Sequence, residues 1–142
     1  MSALEKFQQI ARGLSDLPQV SCPLTHHFAN GMYMREIMMP AGTVVISRIH
    51  LTKHPFAVTK GDVSVMRITE LGQVIDVQRI RGPYWGITEP GTCRILKIHE
   101  DTTWVTFHMT DEREIERLED ELTLHPIHEL DCELIKQLRE AA

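Results

Sequence analysis

Two histidines, His50 and His54, lie four residues apart in the run GTVVISRIHLTKHPFAVTKG (residues 42–61). The apolar and β-branched residues around them are typical of buried strands. Neutral imidazoles are good ligands for Zn, Fe, Ni, Cu and Mn, and an imidazole can also act as a catalytic base. The two side chains therefore predict a metal site or a base, unless they are ordinary polar residues at the end of a strand.

Strand alternation places further polar residues beside them. Successive side chains of a strand point to opposite faces, so Arg48 and His50 share one face. A predicted turn at residues 100–102 folds the following strand back and pairs Arg94 with His108. The predicted pocket therefore contains Arg48, His50, His54, Arg94 and His108.

The two arginines restrict the chemistry of this pocket. An arginine keeps its proton and cannot bind a metal, whereas its planar fork suits a carboxylate or a phosphate. The pocket is therefore predicted to bind either a metal together with an anion, or an anion alone. A buried guanidinium needs a partner, and the internal alternatives for Arg94 are the mid-strand acids Glu36 and Asp76.

Composition restricts the class of protein. The chain has 142 residues, of which 42% are hydrophobic and 25% charged, as expected for one soluble domain with a sizeable core. A net charge of −5 argues against generic binding to a nucleic-acid backbone. No apolar run is long enough for a membrane span, no secretory signal is visible, and Cys22, Cys93 and Cys132 form no disulfide or CxxC pattern. These features predict a cytoplasmic protein that does not interact with membranes.

Short strands between turn residues dominate the middle of the chain and predict an antiparallel sandwich or barrel. The predicted strands are 32–39, 43–50, 54–59, 62–69, 73–80, 84–88, 93–99 and 103–109. An apolar stripe predicts an N-terminal helix over Leu4 to Leu14, followed by a connector over 18–31. Two C-terminal helices are predicted, over 111–123 and from Pro126. The predicted organisation is therefore 1–31 for the helix and connector, 32–109 for the β-barrel and 110–142 for a helical extension.

The quoted run resembles the first sequence motif of the cupin superfamily, G-x5-H-x-H-x3,4-E-x6-G. Gly42 and Gly61 keep its spacing, and His50 occupies the position of the second histidine. Two metal-ligand positions differ, because Arg48 stands in place of the first histidine and His54 in place of the glutamate.

The second cupin motif, G-x5-P-x-G-x2-H-x3-N, is matched less fully. Residues 89–94 keep its glycine turn, while Arg94 stands at the histidine position and Ile98 at the asparagine position. Residues 35–42, 89–94 and 100–108 also resemble small cupin-type proteins encoded by bacteriophages and prophages, a group without an assigned activity.

The resemblance implies a mainly β fold, a cupin-type double-stranded β-helix (jelly roll) with one N-terminal and two C-terminal helices. It implies a homodimer located in the cytoplasm, that of the host if a phage encodes the chain. A small anionic ligand (a sugar, nucleotide or carboxylate) would lie in an Arg/His-lined barrel pocket, with or without a metal. The expected ligand-binding residues are Arg48, Arg94 and Tyr84, and the expected ligands for Fe, Mn, Ni or Zn are His50, His54 and His108.

Two alternatives remain open for the function. One is a metal-dependent oxygenase, isomerase or hydrolase that uses the three histidines. The other is a virion or assembly component whose pocket is vestigial.

Overall fold

The computed structural model describes residues 19–68 and 74–124, together with residues 9, 12, 13, 16 and 17. The described part of the chain is mainly β. Its strands are β1 (Leu24–Ala29), β2 (Met32–Met39), β3 (Val44–Ile46), β4 (Ile49–His50), β5 (His54–Ile68), β6 (Val74–Arg81), β7 (Tyr84–Thr88), β8 (Cys93–Met109) and β9 (Thr123–Leu124). One helix, α1 (Ile115–Leu122), lies between β8 and β9. No helix within these residues is long and apolar enough to cross a membrane.

The two long strands β5 and β8 form the centre of a seven-stranded sheet with the order β1-β2-β8-β5-β6. All its pairings are antiparallel. The edge of β8 that faces away from β5 pairs with β3 along the first half of the strand and with β2 along the second half. The edge of β5 that faces away from β8 pairs with β7 along the first part of the strand and with β6 along the second part. A separate two-stranded sheet joins β4 to β9 and so brings the end of α1 next to His50.

The hydrophobic core lies on the inner face of the large sheet. Its buried members come from β2, β5, β6 and β8 and are Met39, Phe56, Val58, Val63, Val65, Ile80, Leu96, Ile98 and Trp104. These residues come from strands spread across the sheet and form one cluster. A second contact places Leu118 and Leu122 of α1 against Tyr33, so the helix packs against β2.

Two predicted turns are wrong, because both places lie inside continuous strands. The predicted strand 54–59 and residues 62–68 of the next one belong to the single strand β5, and 93–99 and 103–109 belong to β8. At the first place the register against β8 shifts on either side of Gly61, as in a β-bulge. Gly61 has a φ of +126°, and a Cβ there would lie 2.6 Å from the Cα of Thr102, so only glycine fits.

The predicted hairpin pairing of Arg94 with His108 is therefore also wrong. Arg94 pairs with Arg67 on β5, and His108 pairs with Tyr33 on β2. Both nevertheless project to the same face, because they are separated by an even number of positions on one strand.

Other predicted boundaries differ in smaller ways. β1 lies inside the predicted connector 18–31, and the predicted strand 43–50 is divided into β3 and β4. The helix predicted at 111–123 is confirmed as the shorter α1. The apolar residues of the predicted N-terminal helix (Leu4, Phe7, Ile10 and Leu14) and the helix from Pro126 lie outside the described residues.

Candidate functional site

A cavity of about 210 Å³ lies between β2, β3, β8 and α1. Its lining combines charged, imidazole and apolar side chains. Its charged and aromatic polar members include Tyr33, Arg35, Arg48, His50, Arg94 and His108. Arg48, His50, Arg94 and His108 are thus brought together as the sequence predicted.

Strand register explains how two of these residues come to face each other. Tyr33 of β2 pairs with His108 of β8, and Arg35 pairs with Thr106. Since all four project inward, the β2–β8 pair contributes two successive polar layers to the cavity. The Tyr33 and His108 rings are stacked, with centroids 5.7 Å apart, while the Tyr33 hydroxyl lies 2.7 Å from Nδ1 of His26.

Three histidine rings form a cluster at the end of the cavity where Tyr33 and His108 lie. The ring centroids of His50 and His54 are 4.9 Å apart, and those of His54 and His108 are 4.3 Å apart. His54 and His108 are buried, and His50 is partly buried. His54 does not line the cavity itself but lies between the other two rings.

The hydrogen bonds of the cluster leave several imidazole nitrogens available. Nδ1 of His54 lies 3.0 Å from the carbonyl oxygen of Thr52. A carbonyl only accepts, so this nitrogen carries the proton and Nε2 keeps its lone pair. Nε2 of His54, Nδ1 of His50 and Nδ1 of His108 are buried without a hydrogen-bond partner within the described part of the chain.

All three rings are neutral at neutral pH. Burial lowers the pKa of His50 well below its ordinary value, and the neighbouring His54 lowers it further. Burial also lowers the pKa of His54, and it lowers the pKa of His108 to about 3. The cluster therefore offers lone pairs and carries no positive charge.

Arg94 is buried, and its guanidinium has a hydroxyl and aromatic rings as neighbours. Its Nη1 donates to Oγ1 of Thr88 at 3.0 Å, and its central carbon lies 5.0 Å from the Phe56 ring centroid and 5.7 Å from that of Trp104. Among the described residues no carboxylate forms an ion pair with it.

Of the two acids that the sequence offered to Arg94, Glu36 does not fill this role, and the pairing with Asp76 stays a prediction. Glu36 pairs with His27 at 3.0 Å, and the side chain of Asp76 lies outside the described residues. Burial lowers the pKa of Arg94 to about 10, with the nearby Arg67 adding to the effect, so the guanidinium stays charged at neutral pH.

Two further arginines reach the cavity. Arg48 is half-buried, and its Nε donates to Oγ1 of Thr123 at 2.7 Å. Arg35 was missed by the sequence reasoning, although it alternates with the buried Tyr33 and Met39 on β2 and this alternation could have revealed it. Burial lowers the pKa of Arg35, an effect that Tyr33 and Glu119 oppose.

Tyr84 does not line the cavity. Its hydroxyl accepts a hydrogen bond from Nε2 of Gln78 at 3.3 Å, and its ring packs against Phe56 with centroids 6.1 Å apart. Tyr84 therefore lies outside the cavity lining, although it packs on the same Phe56 ring as Arg94.

The histidine cluster fits a transition metal in its donor chemistry but not yet in its arrangement. Imidazole lone pairs suit such metals, and the bond from Nδ1 of His54 to a carbonyl is the kind of contact that orients a metal ligand. Within the described residues, however, no three His, Cys, Asp or Glu side chains are arranged as a ready-made metal centre. Binding a metal would require the rings to shift.

Comparison with known proteins gives similarity only at the level of the fold. No family model and no curated protein matches the chain. Salicylate 1,2-dioxygenase from Pseudoaminobacter salicylatoxidans has a similar structure, with a TM-score of 0.51 at 13% identity over 75% of this chain. The match covers only 30% of that enzyme, so a single region of it shares the fold.

Two smaller proteins are also structural neighbours. One is a cupin superfamily protein (DSY2733) from Desulfitobacterium hafniense, with a TM-score of 0.49 at 6% identity, covering 68% of this chain and 84% of that protein. The other is protein NMB1881 from Neisseria meningitidis, with a TM-score of 0.49 at 10% identity, covering 71% of this chain and 96% of that protein.

Proposed function

We propose that this chain binds a small anionic molecule in the Arg/His cavity and that Arg94 is its principal anion-binding residue. The observation that supports the proposal is the buried guanidinium of Arg94, which has one hydroxyl and two aromatic rings as neighbours and no acidic partner among the described residues. Because a buried charge without a counter-charge is costly, an anion from outside is its natural partner.

The surroundings of Arg94 favour such an anion. Arg35 and Arg48 reach the same cavity, while the three neutral histidines add no negative charge that would repel the anion. A charge-assisted contact contributes about 1.5–3 kcal/mol, and a guanidinium can make two parallel contacts to a carboxylate or phosphate.

Titration with small anions tests the proposal. Inorganic phosphate, succinate, benzoate and ribose 5-phosphate should be titrated calorimetrically into the wild-type chain, and at least one should bind. Arg94→Met should weaken that binding at least tenfold. The matched control is Arg117→Met, because Arg117 is an exposed arginine on α1.

A metal-dependent cupin-type enzyme is the second candidate function. It is favoured by the unpartnered nitrogens of His50, His54 and His108. These three residues would hold the metal, and a bound transition metal would supply Lewis acidity to an oxygen of the ligand. Arg94 and Arg35 would orient the anion and offset its charge. An anion is needed here too, because two guanidiniums repel a dication.

The remaining expectations concern the setting of the protein. A homodimer, a phage origin, a cytoplasmic location and a virion role with a vestigial pocket stay predictions. Loss of anion binding in Arg94→Met would contradict the vestigial-pocket alternative directly.

A further inference from the structure

The cavity has a polar end and an apolar end. Along the paired strands β2 and β8, the inward layers Tyr33–His108 and Arg35–Thr106 are polar. The next layer in the same direction is Ile37–Trp104, after which Met39 continues the lining. The change from polar to apolar side chains therefore takes place within one strand pair.

The opposite wall repeats this division. Val45 of β3 pairs with Leu96 of β8, and both line the cavity. Arg94, two positions before Leu96, reaches back to the aromatic rings of Phe56 and Trp104. The apolar end consequently has hydrocarbon and aromatic walls, which leave sugar hydroxyls largely without hydrogen-bond partners and so penalise their burial.

Of the three arginines in the cavity, one is buried and lacks a counter-charge among the described residues, so the ligand should carry one negative charge. Arg35 lies in the field of Glu119, which also lines the cavity. Arg48 is half-exposed and bonded to Thr123, so water screens its charge. Arg94 is the buried arginine without an acid among the described residues, and one carboxylate would neutralise it.

The volume sets the size of the ligand. Drug-sized ligands occupy pockets of roughly 300–1,000 Å³, and the cavity here measures about 210 Å³. An apolar cavity of about 150 Å³ is enough for benzene. One ring with one carboxylate therefore matches this volume, whereas a nucleotide would extend beyond it.

Resting on the proposed function, we propose that the ligand is a monocarboxylate with a compact apolar body of about one six-membered ring. Its carboxylate pairs with Arg94, whose guanidinium lies near both Trp104 of the apolar end and His50 of the polar end. Its body packs on Ile37, Met39, Val45, Leu96 and Trp104.

Calorimetric titration with a graded set of anions tests this ligand class. Acetate carries the carboxylate without the body, benzoate and cyclohexanecarboxylate carry both, and ribose 5-phosphate and AMP carry an anion on a polar body. Benzoate or cyclohexanecarboxylate should bind at least tenfold more tightly than acetate, as expected when a ring leaves water, and more tightly than the two phosphates.

Two variants separate the ends of the cavity. Val45→Thr keeps the shape of a lining side chain but adds a hydroxyl at the apolar end, so it should weaken benzoate several-fold and leave acetate unchanged. Arg94→Met should weaken both anions. Thermal unfolding confirms that each variant folds.

The outcomes distinguish this inference from the function on which it rests. Tightest binding of AMP or ribose 5-phosphate, lost in Arg94→Met, would overturn the monocarboxylate class and leave anion binding standing. Equal binding of acetate and benzoate would also overturn it. Absence of binding by every anion would overturn the proposed function itself.

Discussion

The guanidinium of Arg94 lies over the ring of Phe56, with its central carbon 5.0 Å from the ring centroid. A cation–π contact of this kind contributes about 0.5–2 kcal/mol. That is less than the several kcal/mol that it costs to remove an ion from water. The ring therefore positions Arg94 but does not replace a counter-ion, and the buried guanidinium lowers the stability of the ligand-free protein.

Removing the buried charge should stabilise the ligand-free protein. The double variant Thr88→Val/Arg94→Met deletes the guanidinium and the hydroxyl that accepts from it, so no donor or acceptor of this pair is left alone. We expect the free energy of unfolding to rise by roughly 1–2 kcal/mol, measured by denaturant unfolding without added anions. Arg117→Met is the control and should change it by less than about 0.5 kcal/mol. A clear loss of stability in the double variant would show that Arg94 is already compensated.

The histidine cluster predicts binding of a transition metal. Protein prepared without chelator, or reconstituted with Fe, Mn, Ni or Zn, should carry close to one metal per chain by elemental analysis. The variant His50→Ala/His54→Ala should lose the metal. His27→Ala should keep it, because His27 is exposed and pairs with Glu36 on the surface. A wild-type chain that stays metal-free after every reconstitution would refute the enzyme alternative.

The same cluster predicts acid sensitivity of the metal-free protein. Burial holds the pKa of His108 at about 3 in the folded state, whereas an unfolded histidine titrates near 6.5. Between these values the unfolded chain binds a proton that the folded chain does not, so stability falls as the pH drops below about 6.5.

Substitution of His108 isolates its share of this effect. His108→Gln should lose less stability than the wild type between pH 7.5 and 5, by roughly 2 kcal/mol. This window lies above the titration of Asp62, whose pKa is held at about 2 by its hydrogen bond with Arg79. Denaturant midpoints in the presence of chelator measure the difference, and identical pH slopes for the two proteins would contradict it.

Position 61 in β5 should not tolerate a side chain. A Cβ at this position would lie 2.6 Å from the Cα of Thr102, in addition to the strain of φ +126°. Gly61→Ala should therefore destabilise the fold by more than about 3 kcal/mol. Gly42→Ala is the matched control, because Gly42 also has a positive φ of +85° but no atom within 4 Å of the added Cβ, and it should cost only about 1–2 kcal/mol. Equal unfolding free energies for the two variants would contradict the close approach of β5 to β8.

Gly61 also explains why the long strands were missed in the sequence. Lys60-Gly61-Asp62 carries typical turn residues, yet the glycine serves a bulge within β5, and Asp62 pairs with Arg79 on β6. Turn composition alone does not distinguish a chain reversal from a bulge, because both need a residue that tolerates positive φ. The strand β1 was missed for another reason: it is an edge strand with mostly exposed side chains and so lacks apolar alternation.

The candidate site was easier to predict than the strand pairing. The side-chain period of two places Arg94 and His108 on one face whether residues 93–109 form a hairpin or a single strand. Alternation therefore identified the right residues from a wrong pairing. Arg35 was overlooked although its alternation with Tyr33 and Met39 places it on the inner face of β2. Alternation does not show that β2 lies next to the second half of β8, and this long-range contact is what brings Arg35 to the cavity.

Calorimetric titration of small anions into the wild type, Arg94→Met and Arg117→Met decides whether Arg94 binds an anionic ligand. Benzoate should bind to the wild type and to Arg117→Met with similar affinity, and Arg94→Met should weaken this binding at least tenfold. The claim that Arg94 binds an anionic ligand would be contradicted if neither benzoate, succinate, phosphate nor ribose 5-phosphate bound, or if binding were the same in all three proteins.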